Sequence, residues 1–252
     1  MDLNKVYNEN CLDTFLRIPD NAIDLVLTSP PYDNLRSYSG YSFNFEPIAV
    51  ELNRVLKVGG VIVWVVGDAS INGSETGTSF SQALFFKSLG LRLHDTMIYR
   101  KKTYVPLNHN RYEQEFEFMF VLSKGKPKTF NPIRVPCKTK GNTTKGRSFY
   151  HSPEQDLPSD THSTKPIGET KLLGNVWDIY PVAGIKGHPA QFPEQLANDH
   201  IISWTNPGDI VYDPFMGSGT TAKMAKLNNR NYIGSEISSE YCKLCEVRLN
   251  DS

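Results

Sequence analysis

Residues 209–225, DIVYDPFMGSGTTAKMA, join a short strand to a helix through two glycines. Ile210 to Tyr212 is a short apolar, β-branched run that reads as a strand, and Thr220 to Leu227 has the spacing of a helix. Between them lie Gly217 and Gly219. Glycines at such a junction let the backbone approach a ligand closely, and the free amides that start the helix favour a negative group. No Gly-Lys-Ser/Thr follows and a third glycine is missing, which excludes a Walker loop and a full dinucleotide fingerprint. Alone, Gly-x-Gly is as easily a tight turn. What favours a ligand loop is Glu236, at the end of the next strand (Asn231 to Ser235), where a carboxylate can accept both hydroxyls of a ribose. Its plainer reading is a solvated cap before Ser238.

The same alternation continues outward. Asn10 is placed to cap a helix over Leu12 to Ile18, and Ile23 to Thr28 reads as a buried strand. Glu46 to Leu56 is helical until Gly59-Gly60 stops it. Val61 to Val66 is a buried strand, a helix starts at Thr78 or Ser79 and ends near Gly90, and Leu91 to Tyr99 returns as a strand. EFEFMFVL (115–122) alternates before it becomes continuously apolar, which reads as an antiparallel strand near a sheet edge. Pro193 to Trp204 reads as a helix with proline in its first turn, and Ser238 to Leu249 as a closing helix. Strands alternating with helices at both ends of the chain predict an α/β fold, a mostly parallel twisted sheet flanked by helices.

Residues 124–171 differ: they are rich in Lys, Pro, Thr, Ser and Gly, with KTKGNTTKGR at their centre and no periodicity. The expected organisation is therefore a core of residues 1–100 and 172–252, the strand near 115–123 included, and a basic insertion at 101–171. That insertion reads either as a disordered linker or as a segment that orders on a ligand. The 252 residues carry 27 Lys and Arg against 27 Asp and Glu, so net charge excludes nothing. Its distribution is informative, because residues 100–171 hold 14 Lys and Arg against 7 Asp and Glu. The middle of the chain is the part expected to face an anion.

Four cysteines in a chain of this length do not make a disulfide framework, and Cys242 and Cys245 are expected to share a face of the last helix without binding metal. No metal is called for. The N-terminus has no apolar signal core, and no run approaches the ~20 apolar residues that span a bilayer. The expectation is a soluble, cytoplasmic protein with no membrane partner.

A second motif, Ser29-Pro30-Pro31-Tyr32, follows the strand Ile23 to Thr28. Ligands of open α/β sheets bind outside the carboxyl ends of the strands, where this tetrapeptide must lie. The prolines fix φ and remove two donors, leaving carbonyl acceptors in a rigid, extended turn. Such a turn can accept hydrogen bonds from an exocyclic amino group, through Ser29 Oγ and the Pro30 carbonyl, while the Tyr32 ring stacks on a planar base. Phe43 and Phe45 are candidate pocket walls, with core packing the plainer role for each.

Thr28 to Tyr32 taken with Asp213 to Thr221 resembles the S-adenosylmethionine-dependent DNA amino-methyltransferases, which modify adenine N6 or cytosine N4. The catalytic motif precedes the cofactor motif with the basic segment between them, as in the permuted β group, and the resemblance covers nearly the whole chain apart from the insertion. It implies a Rossmann-like methyltransferase fold with 101–171 as target-recognition region. It implies that Ser29, Pro30, Pro31 and Tyr32 form the catalytic loop, that Asp213, Phe215, Gly217, Gly219 and Thr220 wrap the methionine part of the donor, and that Glu236 meets its ribose. HPAQFPEQL (188–196) is similar to the family segment before the cofactor loop, placing His188 and Phe192 at the methionine end. The family usually has Asp where NENCLD (8–13) has Asn10; an amide can still bond adenine.

The resemblance further implies double-stranded DNA, of bacterial or phage type, as substrate, with a homodimer and a cognate restriction endonuclease as further candidate partners. A base paired in a duplex must flip out to react. Ser29 stands where adenine-specific relatives usually carry Asp or Asn and cytosine-N4 relatives often carry Ser, so the expected product is N4-methylcytosine, with N6-methyladenine as the alternative. An RNA or protein-glutamine methyltransferase would normally place the cofactor motif first. A non-catalytic nucleic-acid-binding module would need neither motif.

Overall fold

The protein is described from a computed structural model, which describes residues 1–31, 43–103, 110–142, 166–182 and 193–251. In chain order its elements are β1 (Lys5–Tyr7), α1 (Cys11–Phe15), β2 (Ile23–Thr28), α2 (Phe45–Val55), β3 (Leu56–Val66), β4 (Ser70–Ile71), β5 (Ser74–Glu75), α3 (Thr78–Ser88), β6 (Arg92–Lys101) and β7 (Phe116–Ser123). β8 (Arg134–Pro136), β9 (Thr170–Leu172), β10 (Val176–Ile179), α4 (Glu194–Trp204), β11 (Ile210–Asp213), α5 (Thr220–Leu227), β12 (Asn231–Ser235) and α6 (Ser239–Asn250) complete it. Two compact units result, one of Met1–Asn131 with Asn175–Ser252, the other of Pro132–Gly174.

In the larger unit, eight strands among the described residues form one sheet in the order β1-β12-β11-β2-β3-β7-β6-β10. β7 runs antiparallel to both its neighbours, and the other pairings are parallel. The order locates the ligand crevice. From β1 through β2 and β3 to β6 the chain moves towards one edge; from β10 through β11 to β12 it moves towards the other. Crossovers between parallel strands are right-handed, so opposite directions put α1, α2 and α3 on one face and α4 and α5 on the other. The contacts agree, since α1 meets α2, α2 meets α3, α4 meets α5 and α5 meets α6. The reversal falls between the adjacent strands β2 and β11, and the carboxyl ends at such a switch point form the binding crevice of an open α/β sheet.

The core explains why these segments are strands. β2 buries five of its six residues, as a strand covered on both faces must. Trp64, fully buried on β3, donates its indole N–H to Gln82 at 2.8 Å and packs against Phe86 and Phe45. Phe45 also meets Phe85 and Phe86 edge-on, and so takes the core-packing role.

Two local expectations are corrected. Gly59 and Gly60 do not stop a helix: α2 ends at Val55 and both glycines lie inside β3. The pairing steps from Ile23 opposite Leu56 to Leu25 opposite Val61, so they form a bulge, with Gly59 at φ +84° and its amide donating to the Lys124 carbonyl at 2.7 Å. β7 is antiparallel as expected but is no edge strand, because β6 and β10 lie outside it. The early alternation of β7 marks where it leaves the covered part of the sheet, its burial rising from exposed Phe116 to fully buried residues after Phe118.

In the smaller unit β8 pairs with β9 antiparallel, and the ladder continues through the Cys137 amide to the Glu169 carbonyl and the Leu173 amide to the Ile133 carbonyl. Among the described residues no helix is long and apolar enough to cross a membrane, and no three His, Cys, Asp or Glu side chains are grouped to hold a metal ion.

Candidate active site

β2 delivers Ser29, Pro30 and Pro31 to the crevice, with Pro30 buried and Ser29 and Pro31 half-buried. β11, paired beside β2 through Val211 opposite Leu25 and Tyr212 opposite Val26, delivers Asp213 and the loop to Gly219. The two motifs are tied directly. Thr28 Oγ1 donates to Asp213 Oδ1 at 2.6 Å, Thr221 Oγ1 donates to Oδ2 at 2.7 Å, and the Phe215 amide donates to Oδ1 at 3.0 Å. Asp213 is 1 % exposed, so its carboxylate joins the end of β2, the donor-type loop and the first turn of α5. Burial pushes its carboxyl up to about 6, against the pull of the Thr28, Thr221 and Phe215 donors, and the charge of Glu236 raises it further.

The loop is pinned on its other side. The Met216 amide donates to the Ser235 carbonyl at 2.9 Å, and the Gly219 amide to the Met216 carbonyl at 3.0 Å. Gly219, at φ +86°, caps α5 without a side chain. A β-carbon there would overlap the Cys245 sulfur and lie 3.1 Å from its Cβ, so glycine lets α6 close against the loop. Cys242 and Cys245 are both buried on α6, as their spacing suggested.

Glu236 follows β12 and is 9 % exposed. Its Oε2 accepts from the Gly217 amide at 2.7 Å and its Oε1 from the Ser238 amide at 2.8 Å. Burial raises its carboxyl above the ordinary value, opposed by the amides of Ser238, Gly217 and Ile237. A carboxylate oxygen can accept more than one hydrogen bond. A carboxylate after β12, a glycine loop after β11 and the start of α5 without a side-chain cap thus lie at the carboxyl ends of adjacent strands.

Asn10 caps α1, accepting from the Leu12 amide at 2.9 Å. It follows β1, at the edge of the sheet, whose neighbour β12 leads to Glu236. Phe215 is half-buried and meets Phe43 edge-on at 5.6 Å. Tyr32, His188 and Phe192 lie outside the described residues. The structure thus brings together Ser29, Pro30, Pro31, Asp213, Phe215, Gly217, Gly219, Thr220 and Glu236. Sequence reasoning missed how Thr28 and Thr221 hold Asp213. It missed Arg248 on α6, which donates to the Ser218 carbonyl and hydroxyl and to the Thr220 hydroxyl. Thr28 adjoins the catalytic motif and could have been read there; Arg248 has no local signal.

Comparison with known proteins agrees with this geometry. The model of the N6/N4 DNA methylase family matches residues 23–247. The orphan methyltransferase M.BamHII of Bacillus amyloliquefaciens is 54 % identical over 243 residues, covering 93 % of this chain and 91 % of that protein. The type II methyltransferase M.BglII of Bacillus subtilis is 33 % identical over 252 residues, 95 % and 67 % of the respective chains. The DNA adenine methyltransferase YhdJ of Escherichia coli K12 is 28 % identical over 260 residues, 97 % and 82 %. Among solved structures, the cytosine-N4-specific PvuII DNA methyltransferase superposes with a TM-score of 0.71 at 23 % identity, covering 97 % of this chain and 85 % of that one. The M1.HpyAVI complex with its donor gives 0.64 at 23 %, covering 98 % of each. The chain belongs to the DNA methylase family of S-adenosylmethionine-dependent amino-methyltransferases that modify adenine N6 or cytosine N4.

Proposed function

We propose that the chain methylates cytosine N4 in a specific DNA sequence, on a base flipped out of the duplex. Methyl transfer at this site is supported by the 2.6 Å bond from Thr28 to Asp213, which ties the end of β2, just before Ser29-Pro30-Pro31, to the start of the loop after β11. The choice of cytosine rests on Ser29 at the head of that turn. S-Adenosylmethionine supplies an electrophilic methyl group carried on a sulfonium. Gly217, Gly219, Thr220 and Phe215 surround its methionine part, Glu236 accepts its ribose hydroxyls, and Asn10 meets its adenine; His188 and Phe192 are assigned to the methionine end. Asp213, 1 % exposed and holding three protein donors, contributes by shaping the loop.

An exocyclic amino nitrogen is conjugated into its ring and is a poor nucleophile. Ser29 Oγ and the Pro30 carbonyl accept its hydrogens, pull it towards tetrahedral geometry and stabilise the positive charge that develops on it. Tyr32 stacks on the flipped base. Positioning of this kind supplies much of the acceleration in a reaction between two held groups. The Ser29 hydroxyl can accept from the amino group and donate elsewhere, which suits the adjoining ring nitrogen of cytosine. The basic segment 101–171 is assigned to DNA phosphates and target recognition.

Ser29→Ala is the test of these roles. It should lower turnover at least tenfold and leave donor affinity within about twofold, as expected of a group that acts on the target base. Loss of donor affinity with turnover preserved at saturation would reverse the assignment. The YhdJ relative keeps adenine N6 as the second reading, and the two are separated by the nucleoside produced.

A further inference from the structure

We infer that Arg248 is a positioning residue for methyl-donor binding, acting through the backbone of the donor loop; this rests on the reading of that loop given above. Arg248 lies on α6, one residue beyond the segment matched by the family model. Its side chain is 15 % exposed and reaches under the loop. Nη1 donates to the Ser218 carbonyl at 2.9 Å, the Ser218 hydroxyl at 3.0 Å and the Thr220 hydroxyl at 3.2 Å. Ser218 stands between Gly217 and Gly219, both at positive φ, +54° and +86°. Backbone of that kind has no side-chain packing of its own to hold it, so one guanidinium nitrogen bonded to both the carbonyl and the hydroxyl of the intervening residue selects a single loop conformation.

The same guanidinium is oriented from its other side. Nη2 donates to Glu194 Oε1 at 2.7 Å, and Lys223 Nζ donates to that oxygen at 2.8 Å. Burial alone would raise the Glu194 carboxyl, but Lys223 and Arg248 outweigh it and hold it below the ordinary value. Glu194 is the first residue of α4 and Lys223 lies on α5. One charge network therefore joins the donor loop to three helices. A cation beside the first turn of a helix is unfavourable for the helix dipole, and the Glu194 carboxylate offsets that charge. The loop that receives the donor is thus preset, and the ordering that binding would otherwise require is already in place.

The test compares the wild type with Arg248→Met, Arg248→Lys and Glu194→Gln by calorimetric titration with S-adenosylmethionine, by steady-state methylation and by thermal unfolding. Arg248→Met should weaken donor affinity about tenfold, the scale of one lost charge-assisted contact set. Turnover at saturating donor and DNA should stay within about twofold, because the reacting groups are untouched. Arg248→Lys, which keeps the charge and loses the fork, should recover part of the affinity, and Glu194→Gln should weaken it less than Arg248→Met. A folded Arg248→Met protein with wild-type donor affinity overturns the inference, as does a loss that Arg248→Lys does not relieve at all. If Arg248→Met does not fold, Arg248→Lys and Glu194→Gln decide: donor affinity unchanged in both, with lowered unfolding temperatures, means a purely structural network. A wild-type protein that binds no donor would fail the functional reading itself, a different result from these.

Discussion

Gly219→Ala is expected to be among the most damaging single-methyl additions in the protein. Two costs combine. The alanine must adopt φ +86°, a left-handed conformation that costs a residue with a β-carbon about 1–2 kcal/mol. Its methyl must also displace Cys245, whose Cβ would lie 3.1 Å away and whose sulfur would overlap it; overpacking of this kind costs about 1–3 kcal/mol. Together they give about 2–5 kcal/mol, or roughly 5–15 °C in unfolding temperature for a chain of this size. Calorimetry or chemical denaturation measures the loss, and a double-mutant cycle separates its parts. Cys245→Ala removes the overlapping sulfur and should be mildly destabilising alone, yet combined with Gly219→Ala it should restore about 1–2 kcal/mol while the backbone term persists. A Gly219→Ala protein as stable as the wild type would refute the close approach of α6 to the loop. Strict additivity in the cycle would refute the steric part.

Thr28→Val deletes one donor to the buried Asp213 carboxylate and should cost about 1.5–3 kcal/mol of stability, read by urea titration. Glu236→Ala should weaken S-adenosylmethionine binding by a comparable amount, and unchanged calorimetric affinity in a folded variant would remove Glu236 from the ribose site. His200, fully buried on α4 with Trp177 against its ring at 4.5 Å and Met119 Sδ 3.2 Å from Nε2, has its imidazolium pushed down to about 3 by burial. The folded state refuses a proton that the unfolded chain accepts, so stability present above pH ~6.5 falls by up to roughly 1.4 kcal/mol per pH unit between there and about 3. Asp213 acts oppositely, since its carboxyl is raised to about 6 and its stabilising proton is lost as pH rises from 3.8 through 6. The two are separated by His200→Leu, whose stability should fall less steeply with acid than the wild type; parallel pH curves would refute the His200 contribution. Replacing Lys138, Lys140, Lys145 and Arg147 together should flatten the salt dependence of DNA binding, each lost phosphate contact reducing the log–log slope by about 0.9.

Most of the sheet was legible because its central strands are largely apolar runs bounded by turn chemistry, as in Val61 to Val66. The misreadings have local causes. Gly59-Gly60 carries the same residues that end helices, and only the partner strand shows that the extra residues bulge out of β3. β1 and β10, three and four residues long, are too short for a period to register. β7 alternates where it runs out of cover, which imitates an edge. In the site, Ser29-Pro30 and Gly217-x-Gly219 were legible because their chemistry is local. Arg248 and Glu194 were not: they are 54 residues apart, and only α6 folding against α4 and the loop gives the pair a meaning.

Methyl transfer to a base amino nitrogen is the shared task assigned to the turn after β2 and the loop after β11. Its most direct test is mass spectrometry of nucleosides from unmethylated double-stranded DNA incubated with the protein and S-adenosylmethionine labelled in its methyl group. The expected result is labelled N4-methylcytosine, strongly reduced with Ser29→Ala. Labelled N6-methyladenine in its place would overturn the choice of base and leave the site standing, whereas DNA with no labelled nucleoside would contradict the account.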